Sequence, residues 1–471
     1  MSTSVLKPIP HSTAIILAAG KGTRMKSDLP KAAHTILGRS LIKWGISAAR
    51  QAGYERIVVV IGSGEDYMRE HLKDAGVELV VQHEQKGTGH AVAVALDQTK
   101  IAEGIVAVFY GDTPLIEPAT LARVAEKLSE DEKNAAAILV TRPKDPSGYG
   151  RVLLGKSGVV DAIIEDRDCS HEERDTLVDC NPGIYAFDAT ELYKNIKRLG
   201  CDNAQGEYYI TDMIGILRKE GQSVQSVLVE DDSQLMGINS QVQLAEAAKV
   251  MQLRINRAWM DEGVFMLDPN LVWIGPDVVL NRNTQVLPLT FLWGTTEIHE
   301  GAVVGPNTRL SNTIVGAHSV IDETVAQDVR IDEDVHVGPR AYLRPGTHLK
   351  RGAHAGTHIE IKNSTVGEGA KVPHLSYIGD ATIGEGVNIG AGSITCNYNG
   401  FEKNKTVIGN RTFIGSNTMM VAPVSLGDDV ITGAGSIITE DVESGSLAIA
   451  RERQKNIKGY TKKYRASHNK E

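Results

Sequence analysis

From about residue 270 onward an aliphatic residue returns at every sixth position, and few folds tolerate such a count. One stretch runs Ile331, Val337, Leu343, Leu349 and Ala355. A second has Val366, Val372 and Ile378, and a third, slipped by one, has Ile383 and Ile389. After a break, Ile408, Ile414, Met420, Leu426 and Thr432 resume the count. Periods of this kind mark hexapeptide β-helices, in which short flat strands, three to a coil, close a triangular prism. The repeating side chain turns inward. Chance spacing in a Gly- and Val-rich sandwich would not hold its phase over so many units. The segment 395–407, TCNYNGFEKNKTV, breaks the count. It should protrude from a coil, and solenoid loops often serve binding.

The first half has a different texture. Apolar runs AIILAA (14–19), RIVVVIG (56–62), ELVVQ (78–82), IVAVFYGD (105–112) and AAAILVT (135–141) alternate with amphipathic stretches such as 41–53 and 119–130. That alternation predicts a Rossmann-like α/β domain, a mostly parallel sheet with helices on both faces. The stretch from residue 241 has apolar residues at helical spacing up to Gly263. The expected organisation is therefore an α/β domain over 1–240, a linker helix over 241–265, a left-handed parallel β-helix over 266–453, and a basic tail over 454–471. At 471 residues the chain is too long for one ordinary core of about 100–200 residues. The tail should be mobile or wrap a neighbour.

An excess of 59 acidic over 50 basic residues, net -9, argues against nucleic-acid binding. It leaves room for a small anionic substrate in a locally positive pocket. Cys169, Cys180, Cys201 and Cys396 have no metal-ligand spacing and form no disulfide framework, which fits a reducing cytoplasm. The opening segment does not read as a signal peptide, and no apolar stretch reaches the roughly 18 residues of a membrane span.

Leu17-Ala18-Ala19-Gly20-Lys21-Gly22-Thr23-Arg24 follows the first strand directly. Small residues let backbone N–H groups approach a ligand, and Lys21 and Arg24 add positive charge, which suits a triphosphate. The loop matches neither the P-loop nor the dinucleotide fingerprint. Lys31 in SDLPK could neutralise an attacking sugar phosphate. Tyr110-Gly111-Asp112 closes an apolar strand, where open α/β sheets bind ligands, and Asp112 could share a divalent metal with a second oxygen ligand.

LAAGKGTRM…LPK (17–31), QKGTGHA (85–91), YGDTPL (110–115), GYGR (148–151), NPGIY (181–185) and AQGEYYITD (204–212) together resemble sugar-1-phosphate nucleotidyltransferases. With the C-terminal repeats, they resemble the bacterial bifunctional N-acetylglucosamine-1-phosphate uridylyltransferase/glucosamine-1-phosphate N-acetyltransferase family, over about residues 13–453. The resemblance implies that UTP, acetyl-CoA and Mg²⁺ serve the synthesis of UDP-N-acetylglucosamine, a precursor of peptidoglycan and lipopolysaccharide. It implies that Leu17, Ala18, Ala19 and Gly20 hold the nucleotide, with Arg24 and Lys31 on phosphates. Gln82, Gly87 and Thr88 would read the uracil, and Tyr110 and Gly111 would line the same site. Gly150, Glu165 and Asn181 would contact the N-acetylglucosamine part, and Asp112 and Asn239 would bind Mg²⁺. Ala32-Ala33 and Pro182-Gly183 depart from the family's usual residues without removing a polar contact.

Acetyl transfer from a thioester to an amine needs a base, an anion site for the sugar phosphate and a donor for the oxyanion. Arg344 in YLRPG and Lys362 in IEIKNS read as charges that break the aliphatic pattern. His374 in KVPHLSYIGD stands in a regular coil, a position where a lone histidine is commonly a surface residue. The resemblance makes His374 the general base, with Arg344, Lys362, Tyr377 and Asn388 binding glucosamine 1-phosphate. Ala391, Ser416, Ala434 and Arg451 would line the coenzyme A site, and Asn397, Tyr398 and Lys403 would contribute from the protruding loop. Thr357-His358 and Asn399 depart from the family pattern, and Asn399 could alter coenzyme A affinity. Members of such β-helix families assemble as trimers, which implies a homotrimer here. Two alternatives remain at this level. One is a nucleotidyltransferase of ADP-glucose or GDP-mannose type whose β-helix only regulates or oligomerises. The other is a non-enzymatic protein of the same layout, as in nucleotide-exchange subunits of a eukaryotic initiation factor.

Overall fold

The computed structural model describes residues 6–155 and 158–468, and its contacts divide the chain into two compact units, Met1–Ile255 and Asn256–Glu471. Residues 1–5, at the start of the segment expected to lack a signal peptide, and 469–471, at the end of the basic tail, lie outside the described residues.

Seven strands build the main sheet of the first unit. In chain order they are β1 (Ile9–Ala18), β2 (Tyr54–Ile61), β3 (Glu78–Val81), β4 (Ile105–Tyr110), β5 (Asn134–Val140), β6 (Tyr185–Asp188) and β7 (Ser223–Leu228). Their spatial order is β7-β5-β6-β4-β1-β2-β3. Only β6 runs antiparallel to its neighbours, β4 and β5. Alternation along β1 explains why the sheet is buried on both sides. Ala14 and Ile16 join one apolar cluster with Ile42, Ile46, Leu121 and Val124 from the helices Leu41–Ala52 and Pro118–Ser129. Ile15 and Leu17 join another with Val92, Leu96, Met213 and Leu217 from the helices Thr88–Thr99 and Asp212–Lys219. Successive strand residues point to opposite faces, so both faces acquire a helical cover.

From β1 the chain steps outward to β2 and β3, then returns to place β4 on the other side of β1. Such a reversal opens a crevice at the carboxyl ends of the two central strands, the usual ligand position in open α/β sheets. A three-stranded antiparallel sheet, ordered Cys180–Asn181, Gly150–Leu154, Val160–Ile164, accompanies the main one; the sequence patterning did not predict it.

The helix Gln241–Asp261 runs 21 residues, and the division between units falls within it. Beyond it lie three parallel sheets of eleven, ten and nine strands, the walls of a left-handed β-helix. Every repeat position named above faces inward, from Ile331 (1% exposed) and Leu343 (0%) through Met420 (0%) to Thr432 (1%). The slip before Ile383 costs no register, since Val366 still pairs with Ile383. Across the break, Ile383 pairs with Ile408, so residues 398–405 leave the prism and return to the next rung. In the tail, a short helix Tyr460–Ser467 is exposed throughout, with Tyr460 stacked on Tyr464 and His468 tilted against Tyr464 along one side.

Candidate active sites

The crevice of the first unit holds two adjoining cavities. One, of about 330 Å³, is lined by Leu17, Ala18, Ala19, Gly20, Lys31, Gln82, Gly87, Thr88, Tyr110 and Asp112. The other, of about 380 Å³, is lined by Arg24, Tyr110, Asp112, Gly150, Glu165, Asn181 and Asn239. Of the residues expected here, Lys21, which is exposed, and Gly111 line neither; the Gly111 N–H donates to Leu17 O at 2.9 Å, tying the ends of β1 and β4 together. Tyr110 and Asp112 belong to both cavities.

The seam between them is charged. Lys31 forms an ion pair with Asp112, and its ammonium also donates to Asn239 Oδ1 at 2.6 Å. Arg24 Nη2 donates to the same oxygen at 2.8 Å. Two oxygen ligands thus converge on one cationic centre, with a second cation beside it. Asn239 is itself held, because its N–H donates to Gln243 Oε1 at 2.8 Å.

Glycine permits a close approach at the base-reading end. Gly87 has φ 107°, and a Cβ there would lie 2.6 Å from Tyr208 O. QKGTGHA therefore lies against AQGEYYITD: Gly89 N–H donates to Tyr208 O at 2.8 Å, and Ile210 N–H to Thr88 Oγ1 at 3.1 Å. Gln82 is buried, and its Nε2 donates to Gly87 O at 3.1 Å. At the sugar end Asn181 Nδ2 donates to the Tyr185 hydroxyl at 2.7 Å, and its Oδ1 accepts from Gly183 N–H at 3.0 Å. Burial pushes the Glu165 carboxyl up; the Thr211 hydroxyl, donating at 2.9 Å, opposes this, and the nearby Asp212, Asp168 and Asp166 reinforce it. Sequence reasoning missed Gln85, whose Nε2 donates to Ala19 O at 2.7 Å within the first cavity, and Tyr149 in the second. Both sit inside motifs already singled out, so their placement was the only missing signal.

In the second unit the expected residues are ordered by register. Lys371 pairs with Asn388, which sets exposed His374 one coil before Ala391 at the same corner of the prism. Asn417 N–H donates to Ala391 O at 2.7 Å and Gly435 N–H to Ser416 O at 2.9 Å, so Ala391, Ser416 and Ala434 continue that corner as a column of small residues. Arg451 is exposed near its end, its Cδ 3.9 Å from a Cβ built on Gly435. Tyr377 belongs to the ten-stranded wall and Asn388 to the eleven-stranded one.

Two expectations need correction. Arg344 and Lys362 do not break the aliphatic pattern; they follow Leu343 and Ile361, both fully buried, and take ordinary outward positions. Arg344 Nη1 donates to Glu360 Oε1 at 2.7 Å. Asn397 does not stand on the protruding loop but at its base, 6% exposed, with its amide donating to Asp380. The protruding part begins at Tyr398, which is 62% exposed and bridges to Lys403. The departures from the family pattern have local roles. Asn399 Oδ1 accepts from Phe401 N–H (3.0 Å) and Glu402 N–H (2.9 Å), a turn that an aspartate would make equally well. His358 lies within 2.7 Å of Thr357 Oγ1 through its Nδ1 and 3.4 Å of Arg340 through its Nε2, an exposed local cluster.

A MobA-like NTP transferase domain matches residues 14–177, and a bacterial transferase hexapeptide (six repeats) matches 405–440. Bifunctional protein GlmU of Streptomyces avermitilis is 45% identical over 98% of this chain and 96% of its own length. The protein of the same name from Thermobifida fusca is 46% identical over 96% and 95%, and that from Clostridium beijerinckii 41% over 96% and 99%. The chain belongs to the bifunctional GlmU family. It is an enzyme with two activities, uridylyl transfer and acetyl transfer in UDP-N-acetylglucosamine synthesis, and its substrates include a nucleotide and acetyl-CoA. Among the described residues no helix is long and apolar enough to cross a membrane.

Proposed function

We propose that the β-helix acetylates glucosamine 1-phosphate from acetyl-CoA and that the crevice then joins N-acetylglucosamine 1-phosphate to UTP. The seam where Lys31 and Arg24 meet Asp112 and Asn239, between two cavities, carries this reading. The triphosphate and uracil occupy the Leu17–Gly20, Gln82, Gly87 and Thr88 side, and the amino sugar occupies the Gly150, Glu165 and Asn181 side. A sugar-phosphate oxygen attacks the α-phosphorus, and the bond to pyrophosphate breaks. Here the chain's work is positioning and charge neutralisation, without a covalent intermediate. Lys31 and Arg24 exchange their present partners for phosphate oxygens. The Asp112 carboxylate and Asn239 amide oxygen are hard donors already directed at one cationic centre, so they fit Mg²⁺. Bound there, the ion would neutralise phosphate charge.

At the β-helix, His374 takes a proton from the attacking amine as its nitrogen bonds to the thioester carbon; the C–S bond breaks and coenzyme A leaves. An imidazole can act as a neutral base near pH 7. Arg344, Lys362, Tyr377 and Asn388 hold the sugar phosphate. The small column Ala391, Ser416 and Ala434 leaves room for coenzyme A along the corner, with Asn397, Tyr398, Lys403 and Arg451 around it. The hexapeptide β-helix fits oligomerisation, and we infer a homotrimer in which adjacent copies complete these sites. Four free cysteines support a cytoplasmic setting.

The test supplies glucosamine 1-phosphate, acetyl-CoA, UTP and Mg²⁺, and follows thiol and pyrophosphate separately. Both products are expected. Pyrophosphate without thiol, when N-acetylglucosamine 1-phosphate is also supplied, would reduce the β-helix to a scaffold.

A further inference from the structure

Asp380 is 9% exposed at a corner of the prism, with φ 51°. Its carboxylate lies between two amides from neighbouring coils. Asn363 Nδ2 donates to Oδ1 at 2.6 Å, and Asn397 Nδ2 donates to Oδ2. Its backbone is anchored as well, N–H to Lys362 O at 3.0 Å and carbonyl to Thr406 N–H at 3.2 Å. Asn397 opens the protruding loop, and Asn404 N–H closes that loop onto Asn397 O at 2.7 Å. A Cβ on Gly379 would touch both the Tyr377 hydroxyl (2.5 Å) and the Asn397 amide (2.7 Å), so these groups crowd the same spot.

The charges around it are unbalanced. Lys362 and Lys403 lie close enough to repel each other, and neither ammonium can accept a hydrogen bond from the other. Arg344 lies near Lys362 but is paired with Glu360. One carboxylate therefore serves two lysines, which leaves a surplus positive charge suited to an anion. Lys403, then burial, push the Lys362 ammonium down, and Asp380 opposes them. Burial pushes Asp380 itself up, but Asn363, Asn397 and the two lysines together hold it below the usual carboxylate range.

We propose that Asp380 is a positioning residue for acetyl transfer: clamped by Asn363 and Asn397, it fixes the root of the loop and holds Lys362 in place for the sugar phosphate against the repulsion of Lys403, which stays at the coenzyme A side. This rests on the assignment of the acetyl-transfer site above. Asp380→Asn in the full-length chain should raise KM for glucosamine 1-phosphate about tenfold, the weight of one charge-assisted contact, with a smaller change in kcat. Without the carboxylate, Lys362 loses its proton more easily. The alkaline rise in KM should therefore begin about one pH unit lower than in the parent. Uridylyl transfer and thermal unfolding on the same preparation report folding. If Asp380→Asn does not fold, Asn363→Ala, which keeps the charge but frees one carboxylate oxygen, should raise KM about threefold. An unchanged KM and alkaline limb overturn the proposal, as does a fall in kcat and Tm at constant KM. Lys362→Ala separates the two readings. If it raises KM while Asp380→Asn does not, this inference alone fails; if neither raises KM, the site assignment fails with it.

Discussion

The crevice and the β-helix corner confront the same problem, an anionic sugar phosphate, with different architecture. In the crevice, residues as distant in sequence as Arg24 and Asn239 are gathered at the carboxyl end of the sheet, with Lys31 paired to Asp112 and Arg24 held by the neutral Asn239 amide. At the corner, residues are strung along a surface one coil at a time, and two lysines share a single carboxylate. A folded-in cleft can hold its cations on polar partners from several elements and exchange those partners for substrate. An outer wall leaves part of its charge to be matched on binding.

The largest effect should come from removing the proposed base. His374→Ala should lower thiol release by about 10²–10⁴-fold while pyrophosphate release from supplied N-acetylglucosamine 1-phosphate continues. Loss of both would end the idea of two independent sites. Next is the crevice seam. Lys31→Ala leaves Asp112 without its ion pair and the phosphate without a cation, and uridylyl transfer should drop about 10²-fold or more with acetyl transfer intact. Equal losses at both sites would contradict the separation.

Glu165 sharpens the contrast through pH. Its folded pKa is raised, chiefly by burial, so the folded chain holds this proton more tightly than the unfolded chain. Its favourable contribution to stability is full below the unfolded pKa and is lost as pH rises through the raised one. Acid therefore does not unfold the protein through this group, but it removes the carboxylate from the sugar site. KM for N-acetylglucosamine 1-phosphate should rise on mild acidification, and Glu165→Gln should have a high but flat KM over the same range; an acid-dependent rise surviving in Glu165→Gln would assign the effect elsewhere. The smallest change concerns Asn399→Asp, which preserves the turn-forming oxygen. Its KM for acetyl-CoA should stay within about twofold, and a larger shift would mean that residue 399 touches the ligand rather than shaping the turn.

The six-residue count was legible because each inward place admits only a compact side chain, whatever lies outside. The parallel sheet was legible because buried strands must be apolar on both faces. The small antiparallel sheet was not: Leu154 is 41% exposed and Arg151 is buried, its guanidinium donating to Pro146 O at 3.0 Å, so neither follows a hydrophobic period. Asp380 was invisible for another reason. Its meaning lies in contacts one coil away on either side, and no spacing rule distinguishes it from other polar corner residues. The exposed loop was expected from its broken count, but the burial of Asn397 depended on finding that carboxylate beneath it.

The loop leaves the prism after Asn397 and the ladder resumes at Thr406 as though nothing had intervened. A solenoid thus separates the cost of holding its shape from the freedom to vary its margin, since each rung answers only to the rungs beside it. Doubling such an excursion costs only about 0.6 kcal/mol of closure entropy. New reach toward a substrate can be tried at one rung while the ladder on either side keeps its spacing.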